Sequence, residues 1–317
     1  MSSTVAPAPV AVSRRDRRQR RHSLLTRRDI TVLILMVGIP TLIQVLLIWG
    51  PTIASVLLSF TRWEGIGGLS TITPVGLKNY QDVTTIYPPF WPALAHNLIW
   101  LGFFLFISTP AGIFLAVLLD KEIRFTRVYQ SIFFAPVVLS VALIGFMWQL
   151  IYAPEQGLIN NLLGRTEQGN LINWLGNPSI NLWAVLVAAS WRHIGYVMIL
   201  YLAGLKAVDP ALKEAAAVDG ANERQMFLRV VFPVLKPINI VILVITVIES
   251  LRAFDIVYVV NKGTNGLELL SILITNNMVG EASRIGFGSA LAVILLVISL
   301  GFIITYLFQA FRKEAAA

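Results

Sequence analysis

The 317-residue chain is 56% hydrophobic and only 13% charged, and its formal net charge is +8. This much apolar surface is more than one soluble core can bury, so the composition predicts a membrane protein and excludes an ordinary soluble domain. The absence of cysteine excludes disulfides, cysteine-ligated metals and thiol catalysis, and the three histidines, His22, His96 and His193, lack metal-ligand spacing, so we expect no metal site.

The chain begins with a basic tail, residues 1–29, that contains Arg14, Arg15, Arg17, Arg18, Arg20, Arg21, Arg27 and Arg28. Arginine-rich tails can bind nucleic acid or anionic membrane surfaces, but this tail stands directly before an apolar run, where positive charge marks the cytoplasmic side of a membrane. We therefore expect membrane lipid and no nucleic acid as a partner. The apolar run is too long for a cleavable signal peptide.

Six apolar runs follow the tail, and each is near or above the roughly 20 residues that cross a hydrocarbon core as a helix. We place them at residues 31–59, 97–119, 128–151, 182–205, 238–260 and 286–308. The predicted fold is all-α, an integral membrane protein with six transmembrane helices. Its regions are the tail, a first helix with an extracytoplasmic lead-in at 30–96, and a transmembrane domain at 97–311 with a polar loop at 206–236. Pro40 and Pro110 fall inside runs, where we expect kinks rather than helix ends.

Positive charge in the loops predicts the orientation of these spans. With a cytoplasmic N-terminus, the tail, the loop after the second span, the polar loop and the C-terminal end share one side, and together they hold most of the lysine and arginine residues. The other side holds Arg62, Lys78, Arg165, Lys262 and Arg284. The positive-inside rule therefore predicts a multi-pass protein of the cell membrane with both termini in the cytoplasm.

The polar loop between the fourth and fifth spans contains signals for two short helices. Asp209 can cap a helix that starts with Pro210 and continues to residue 218, and Gly220 is suited to end it in a left-handed turn. Asn222 and Gln225 have the spacing of a capping box, which predicts the start of a second helix.

We expect Pro233 to stop the second helix, because proline removes a backbone donor and clashes with the preceding turn. Apolar residues recur along this helix at helical spacing: Met226, Phe227, Val230 and Val231. Such an apolar face needs a partner surface.

The loop resembles the EAA loop of permease subunits of ATP-binding-cassette (ABC) importers, and in particular that of the carbohydrate-uptake permeases. The matching positions are Glu214, Ala215, Ala216, Asp219, Gly220, Phe227 and Pro233. Val230 and Phe232 replace the isoleucine and leucine that are usual in this loop, but both remain apolar. The segments VGLKNY and PPFWPALAHN also resemble the family's extracytoplasmic lead-in, although their aromatic residues fit an interfacial belt equally well.

The resemblance implies that the loop is a cytoplasmic coupling-helix hairpin that docks on a dimer of nucleotide-binding ATPase subunits. In that family Glu214 would make a polar contact with the ATPase, and Gly220 would set the angle between the hairpin's helices. A second permease, expected to be a different chain, and an extracytoplasmic solute-binding protein would complete the importer. ATP and Mg would bind to the ATPase partner, so this chain is expected to hold no cofactor.

The sequence contains no GxxxxGK[ST], GxSxG or HExxH motif, so we expect neither nucleotide binding nor an enzyme on this chain. Charged residues do occur inside the predicted spans, where they are costly and face a cavity or one another. Arg192 lies on the fourth span, and Glu249, Arg252 and Asp255 lie on the fifth. Glu249 and Arg252 are three residues apart and can stack on one helix face, and Glu249 can also pair with Arg192 across helices.

Two interpretations of these charges stay open, a polar pocket for sugar hydroxyls or mutual neutralisation within the bundle. Resemblance to the maltose-type permeases implies that the sugar-contacting stretches of the fourth and fifth spans contain Arg192, His193, Tyr196, Thr246, Ser250 and Ala253. Weaker candidates on the third span are Pro136, Ser140 and Trp148. The predicted substrate pathway therefore consists of Arg192, His193, Tyr196, Thr246, Glu249, Ser250, Arg252 and Trp148.

The leading functional hypothesis is a permease that imports a sugar, with an oligosaccharide favoured, by alternating access. Arg192 beside His193 also suits a phosphorylated or acidic sugar derivative such as a glycerol-phosphate compound. A third hypothesis is an ion-coupled secondary transporter with Glu249 or Asp255 as the coupling carboxylate. A membrane enzyme acting on lipid-linked sugars would need a cluster of acidic residues at a membrane face, and the sequence offers none.

Overall fold

The computed structural model describes residues 26–66, 68–121, 123–167, 169–280 and 283–315. Residues 1–25, most of the predicted basic tail, lie outside these ranges. The chain divides into two units, Met1–Ala54 and Ser55–Ala317. In the first unit, a capping box between Thr26 and Asp29 starts a helix that passes Pro40 without ending. This unit contains α1 (Arg27–Gln44), a π-helical turn (Val45–Trp49) and the start of α2 (Gly50–Leu58).

In the described part of the second unit, the regular elements are helices and a ladder of two very short antiparallel strands, β1 (Thr61–Arg62) and β2 (Thr73–Pro74). Its first helices are α3 (Lys78–Thr85), α4 (Phe90–Phe103), a π-helical turn (Phe104–Ser108), α5 (Thr109–Asp120), α6 (Thr126–Val138), α7 (Val141–Ile151) and α8 (Leu158–Leu162). They are followed by α9 (Asn181–Ala207), α10 (Pro210–Val218), α11 (Glu223–Met226), a π-helical turn (Phe227–Val231) and α12 (Phe232–Val234). The last are α13 (Lys236–Leu251), α14 (Asp255–Asn261), α15 (Leu270–Met278) and α16 (Ile285–Ala315).

Four helices in the described ranges are long and apolar enough to cross a membrane: Arg28–Leu58, Phe90–Asp120, Asn181–Ala207 and Ile285–Phe308. They confirm the first, second, fourth and sixth predicted runs as continuous helices. The second starts seven residues earlier than expected and continues past Pro110, which lies in the first turn of α5. Six spans result only if two bent helix pairs each count as one, α6 with α7 at 104° and Glu223–Val234 with Lys236–Asn261 at 78°.

The prediction of one helix over residues 128–151 was wrong, because the chain breaks between α6 and α7. Leu139 is extended, with ψ 147°, and the Ser140 side chain accepts a hydrogen bond from the Leu143 N–H at 3.2 Å. A serine in this position caps a new helix and so competes with continuation of the old one. Pro136, in the last turn of α6, is consistent with a helix end nearby.

The prediction of one helix over residues 238–260 was also wrong, since α13 ends at Leu251 and α14 begins at Asp255. The carbonyls at this break accept hydrogen bonds from side chains. Asn97 Nδ2 donates to the carbonyls of Ser250 at 3.3 Å and Leu251 at 3.2 Å, and the Ser271 hydroxyl donates to that of Ala253. The helix can therefore stop inside the bundle without leaving its last two carbonyls unpaired.

Close helix packing positions the second and fourth spans. A Cβ atom added at Gly112 on α5 would lie 2.7 Å from Val197 Cβ and 2.8 Å from the Ile194 carbonyl on α9. Only glycine allows this approach.

Towards the C-terminal ends of α5 and α9, one apolar cluster joins these two helices to the segment that follows α10. Its buried residues are Ala116, Leu119, Val197, Met198, Tyr201, Leu202, Leu205, Val208, Val231, Leu235 and Ile242.

Candidate functional site

The segment between α9 and α13 forms the helix pair that the sequence predicts. The Asp209 side chain accepts from the Ala211 N–H at 2.9 Å and Pro210 is the first helical residue, which confirms the predicted cap. Gly220 adopts φ +80°, in the left-handed region, between α10 and α11. Asn222 and Gln225 form the predicted capping box with reciprocal hydrogen bonds of 2.9 and 3.0 Å.

The prediction that Pro233 stops the second helix was wrong. The helix that starts at Glu223 runs through a π-helical turn at Phe227–Val231 and ends at Val234, so Pro233 lies inside its last turn. In the π-helical turn the Phe232 N–H donates to the Phe227 carbonyl, five residues back. Because this turn changes the hydrogen-bond register just before the proline, the missing N–H of Pro233 does not interrupt a regular α-helical ladder.

The apolar face of this helix packs on the chain itself. The Phe227 ring lies 6.4 Å from the Tyr201 ring of α9 and 6.0 Å from Phe232, and Val231 is buried. Other predicted coupling residues are at the surface. Glu214, Ala215, Asp219, Gly220 and Pro233 are exposed, whereas Ala216 is buried.

A cavity of about 270 Å³ lies beside α9, at the start of α7 and at the break between α13 and α14. Its lining includes the aromatic residues Trp100, Phe104 and Phe254. The lining also includes the charged or polar residues Arg192, His193, Glu249, Arg252 and Asp255. Such a combination of aromatic faces and convergent polar groups is typical of sites for small polar ligands.

Glu249 is the centre of the polar lining. Its Oε1 lies 3.1 Å from Arg192 Nη1 and its Oε2 lies 3.0 Å from His193 Nδ1, so both carboxylate oxygens accept from α9. Arg192 Nε is buried and has no hydrogen-bond partner among the described residues. The predicted pairing of Glu249 with Arg192 is thus present. Within the described ranges no ion pair joins Glu249 to Arg252, which lies beyond the last residue of α13.

His193 connects this pair to the second span. Its ring is 1% exposed and lies 4.4 Å from the Phe104 ring. Nε2 is 3.2 Å from Thr109 Oγ1 and 3.3 Å from Thr246 Oγ1. The Thr246 hydroxyl donates to the Ile242 carbonyl at 2.7 Å, so the Thr109 hydroxyl remains as the donor to Nε2, and the tautomer with a proton on Nδ1 satisfies every partner.

The structure thus brings four residues of the predicted substrate pathway into the cavity lining: Arg192, His193, Glu249 and Arg252. Thr246 and Ser250 are fully buried behind them, and the Ser250 hydroxyl donates to the Thr246 carbonyl at 2.7 Å. Tyr196 is half-buried and does not line the cavity. Trp148 also lies outside the lining, with its ring 6.1 Å from that of Trp191.

Sequence reasoning missed the contribution of the second span. Trp100 and Phe104 line the cavity, and Thr109 hydrogen bonds to His193. The adjacent hydroxyl residues Ser108 and Thr109, in the middle of an apolar run, were the available signal. Among the described residues, no group of three histidine, aspartate or glutamate side chains is placed to hold a metal ion.

Residues 108–315 match a protein-family model described as binding-protein-dependent transport system inner membrane component. The chain is 34% identical over 282 residues to the xylose/arabinose import permease protein XacH of Haloferax volcanii, an alignment that covers 87% of each protein. It is 31% identical over 236 residues to the trehalose/maltose transport system permease protein MalF of Thermococcus litoralis, which covers 74% of this chain and 78% of the relative.

Two solved structures have the same fold. One is the crystal structure of a bacterial ABC transporter involved in the import of the acidic polysaccharide alginate, with a TM-score of 0.75 over 90% of this chain and 96% of that chain, at 22% identity. The other is a bacterial alginate ABC transporter in complex with an alginate pentasaccharide-bound periplasmic protein, with a TM-score of 0.73 over 88% of this chain and 93% of that chain, also at 22% identity.

Proposed function

The chain belongs to the family of binding-protein-dependent transport system inner membrane components, and we propose that it is the permease subunit of an ATP-driven importer for a sugar, in which it forms half of the translocation pathway. The family is one of membrane transport components rather than of enzymes. A second permease, a nucleotide-binding ATPase dimer and an extracytoplasmic solute-binding protein complete the proposed importer.

The helix pair at Pro210–Val234 is the observation that carries this proposal. Its caps, its left-handed Gly220 and its exposed Glu214 and Asp219 agree with a hairpin presented to another subunit. Its apolar second helix is anchored on α9 through Phe227 and Val231. The helix pair exposes both charged side chains and large apolar ones, including Val218, Leu228 and Val234. Because it is also packed against α9, it is suited to convey movement of a docked ATPase to the bundle.

In the proposed mechanism the hairpin and both termini face the cytoplasm, as the positive-inside rule predicts. ATP binding closes the ATPase dimer, the hairpin moves as a rigid body, and the cavity opens towards the solute-binding protein. After hydrolysis the cavity opens inward. The breaks at residues 139–140 and 252–254 support this cycle, because discontinuous helices can pivot where a continuous one must bend.

We propose a neutral sugar, with an oligosaccharide favoured, as the substrate. The charge of Arg192 is already balanced by Glu249, and Phe254, the partly exposed aromatic residue of the lining, suits the apolar face of a sugar ring. Relatives whose names include xylose/arabinose, trehalose/maltose and arabinooligosaccharides support a sugar.

An acidic sugar derivative is the second candidate substrate. Arg252 lines the cavity and forms no ion pair among the described residues, so it is available to a carboxylate or phosphate. Asp255 lines the same cavity and also lacks an ion pair in the described chain, and it opposes such an anion. Competition of neutral and acidic oligosaccharides for uptake distinguishes the two substrate classes.

Reconstitution into proteoliposomes tests the proposed function. Uptake of sugar is expected only when the chain is combined with its second permease, the ATPase dimer, the loaded solute-binding protein and ATP. If the chain alone accumulates sugar under an ion gradient, it is a secondary transporter and the proposal is wrong.

Cross-linking tests the hairpin's partner. The chain has no cysteine, so a single introduced thiol reports on one position. Glu214→Cys should capture the ATPase subunit. Glu155→Cys, an exposed position in the loop after α7, is the matched control and should not capture it.

A further inference from the structure

One carboxylate at the end of the second span joins three elements. Asp120 is the last residue of α5; its Oδ1 lies 3.3 Å from Lys206 Nζ at the end of α9, and its Oδ2 lies 3.1 Å from Lys213 Nζ on α10. The Asp120 side chain is only 18% exposed, and that of Lys213 is 32% exposed. The two ammonium groups therefore reach a carboxylate that is largely shielded from water.

The position of Asp120 is unfavourable for its own helix. The C-terminal end of an α-helix carries a partial negative charge, and a carboxylate in the last turn is repelled by it. A lysine or an uncharged residue would suit this helix end better. Lys206 and Lys213, which belong to other elements, compensate for this repulsion, so the aspartate stabilises the tertiary contact rather than its own helix.

Apolar packing accompanies the ionic contact. Ala116 and Leu119, one turn and one residue before Asp120, share a buried cluster with Val231 and Leu235 of the hairpin region. A further pair, Lys121 to Glu223 at 2.6 Å, links the same helix end to α11. Because the Glu223 side chain is 82% exposed, this pair contributes little.

We propose that Asp120 is a positioning residue that ties the hairpin to the second span, so that this span moves with the hairpin during transport. The inference rests on the proposed function and deepens it. By chain connectivity alone the hairpin is attached to α9 and α13. The Asp120–Lys213 contact adds a third connection through which movement of the hairpin can reach the bundle. This connection runs along the second span, Phe90–Asp120, which holds Trp100, Phe104 and Thr109 near the cavity. Thr109 lies 11 residues before Asp120, which is about 16 Å at the helical rise.

The test uses the complete importer in proteoliposomes, with uptake and ATP hydrolysis measured separately. Asp120→Asn should lower the sugar imported per ATP hydrolysed by at least about fivefold, the lower end of coupling between distinct sites, while hydrolysis continues. The swapped pair Asp120→Lys with Lys213→Asp should restore the ratio in part, since one ion pair would again join the end of α5 to α10. The control Glu64→Gln removes an exposed charge that is distant in the sequence from Asp120, and it should leave the ratio of sugar imported to ATP hydrolysed unchanged.

A covalent tie provides an independent readout. In the otherwise cysteine-free chain, Asp120→Cys with Lys213→Cys removes the ion pair and should show a low ratio, which a short bifunctional thiol reagent should raise again. Arrest of uptake by the cross-link would overturn the proposal, because the two elements would then have to separate.

A wild-type ratio in Asp120→Asn would also overturn it. If Asp120→Asn does not assemble, the swapped pair decides: coupled uptake supports the tie, and an assembled swap with uncoupled hydrolysis refutes it. A wild-type complex without ATP-driven uptake would instead refute the proposed function.

Discussion

Replacing Glu249 by glutamine tests whether the charges in the cavity hold the bundle together. The carboxylate accepts from Arg192 at 3.1 Å and from His193 at 3.0 Å, and within the described chain it is the ion-pair partner of Arg192. Glutamine keeps the shape and one acceptor oxygen but removes the charge. Arg192 is then left without this counter-charge in the cavity lining.

The size of the effect follows from the exposure of the two side chains. Hydrogen bonds to charged groups contribute about 1.5–3 kcal/mol when buried, and exposed ion pairs about 0–1 kcal/mol. Glu249 is 30% exposed and Arg192 is 27% exposed, so the pair lies between these regimes. We expect Glu249→Gln to lower the free energy of unfolding by about 1–1.5 kcal/mol.

The assay is unfolding of the purified chain in mixed detergent micelles, followed by loss of helical circular dichroism. The matched control is Glu64→Gln, which removes one partner of the Arg62 pair at 3.8 Å, where the side chains are 75% and 61% exposed. That control should change the free energy by less than about 0.5 kcal/mol. Equal effects of the two substitutions would refute the structural role of Glu249.

The double variant Arg192→Met with Glu249→Met separates structure from transport. Because apolar residues of similar volume can replace an ion pair at little cost, the double variant should be more stable than Glu249→Gln alone. If it then imports sugar at the wild-type rate, the pair is only structural. If it is stable but no longer transports, at least one of the two charges acts on the substrate or on the conformational cycle.

Three further substitutions are predicted from local geometry. Gly112→Ala should lower the free energy of unfolding by about 1–3 kcal/mol because its Cβ would meet α9 at 2.7 Å, whereas Gly102→Ala on α4, with nothing within 4 Å, should raise it by up to about 1 kcal/mol in the same unfolding assay. Gly220→Val forces a branched side chain to φ +80°, so the protein should still insert into the membrane but lose uptake relative to ATP hydrolysis; wild-type transport would contradict the hairpin's role. Asn222→Ala removes the capping box and should cost about 1 kcal/mol, seen as faster amide exchange in α11, with Asn222→Ser as the conservative control.

The hairpin was the best predicted part of the chain because its signals are local. Asp209, Gly220 and the pair Asn222 with Gln225 each act on backbone groups within a few residues, so their spacing alone predicts the caps. The end of the second helix was predicted wrongly because the π-helical turn before Pro233 has no signal in the sequence. The partner of its apolar face is Tyr201 on α9, which only the folded chain brings close.

The cavity was predicted in part. Charge inside an apolar run identified Arg192, Glu249 and Arg252, and the cross-helix pair formed as expected. The break after Leu251 was not predictable, because it depends on Asn97, which is distant in the sequence and whose amide takes over the helix-end carbonyls. Thr246 fits the predicted face of the fifth span, but in this conformation it supports His193 instead of lining the cavity.

The side-chain amide of Asn97 donates hydrogen bonds to the carbonyls at the end of α13, as water does for a helix end at a protein surface. Hydrocarbon offers no donors to dangling carbonyls, so a gap in a membrane helix survives only where the protein brings its own substitute for water. Asn97 Oδ1 also accepts from the Leu270 N–H at 2.9 Å, so this one side chain pairs backbone groups at the end of α13 and at the start of α15. The break is thus held on one side by protein donors, while Arg252, Ala253 and Phe254 on its other side line the cavity.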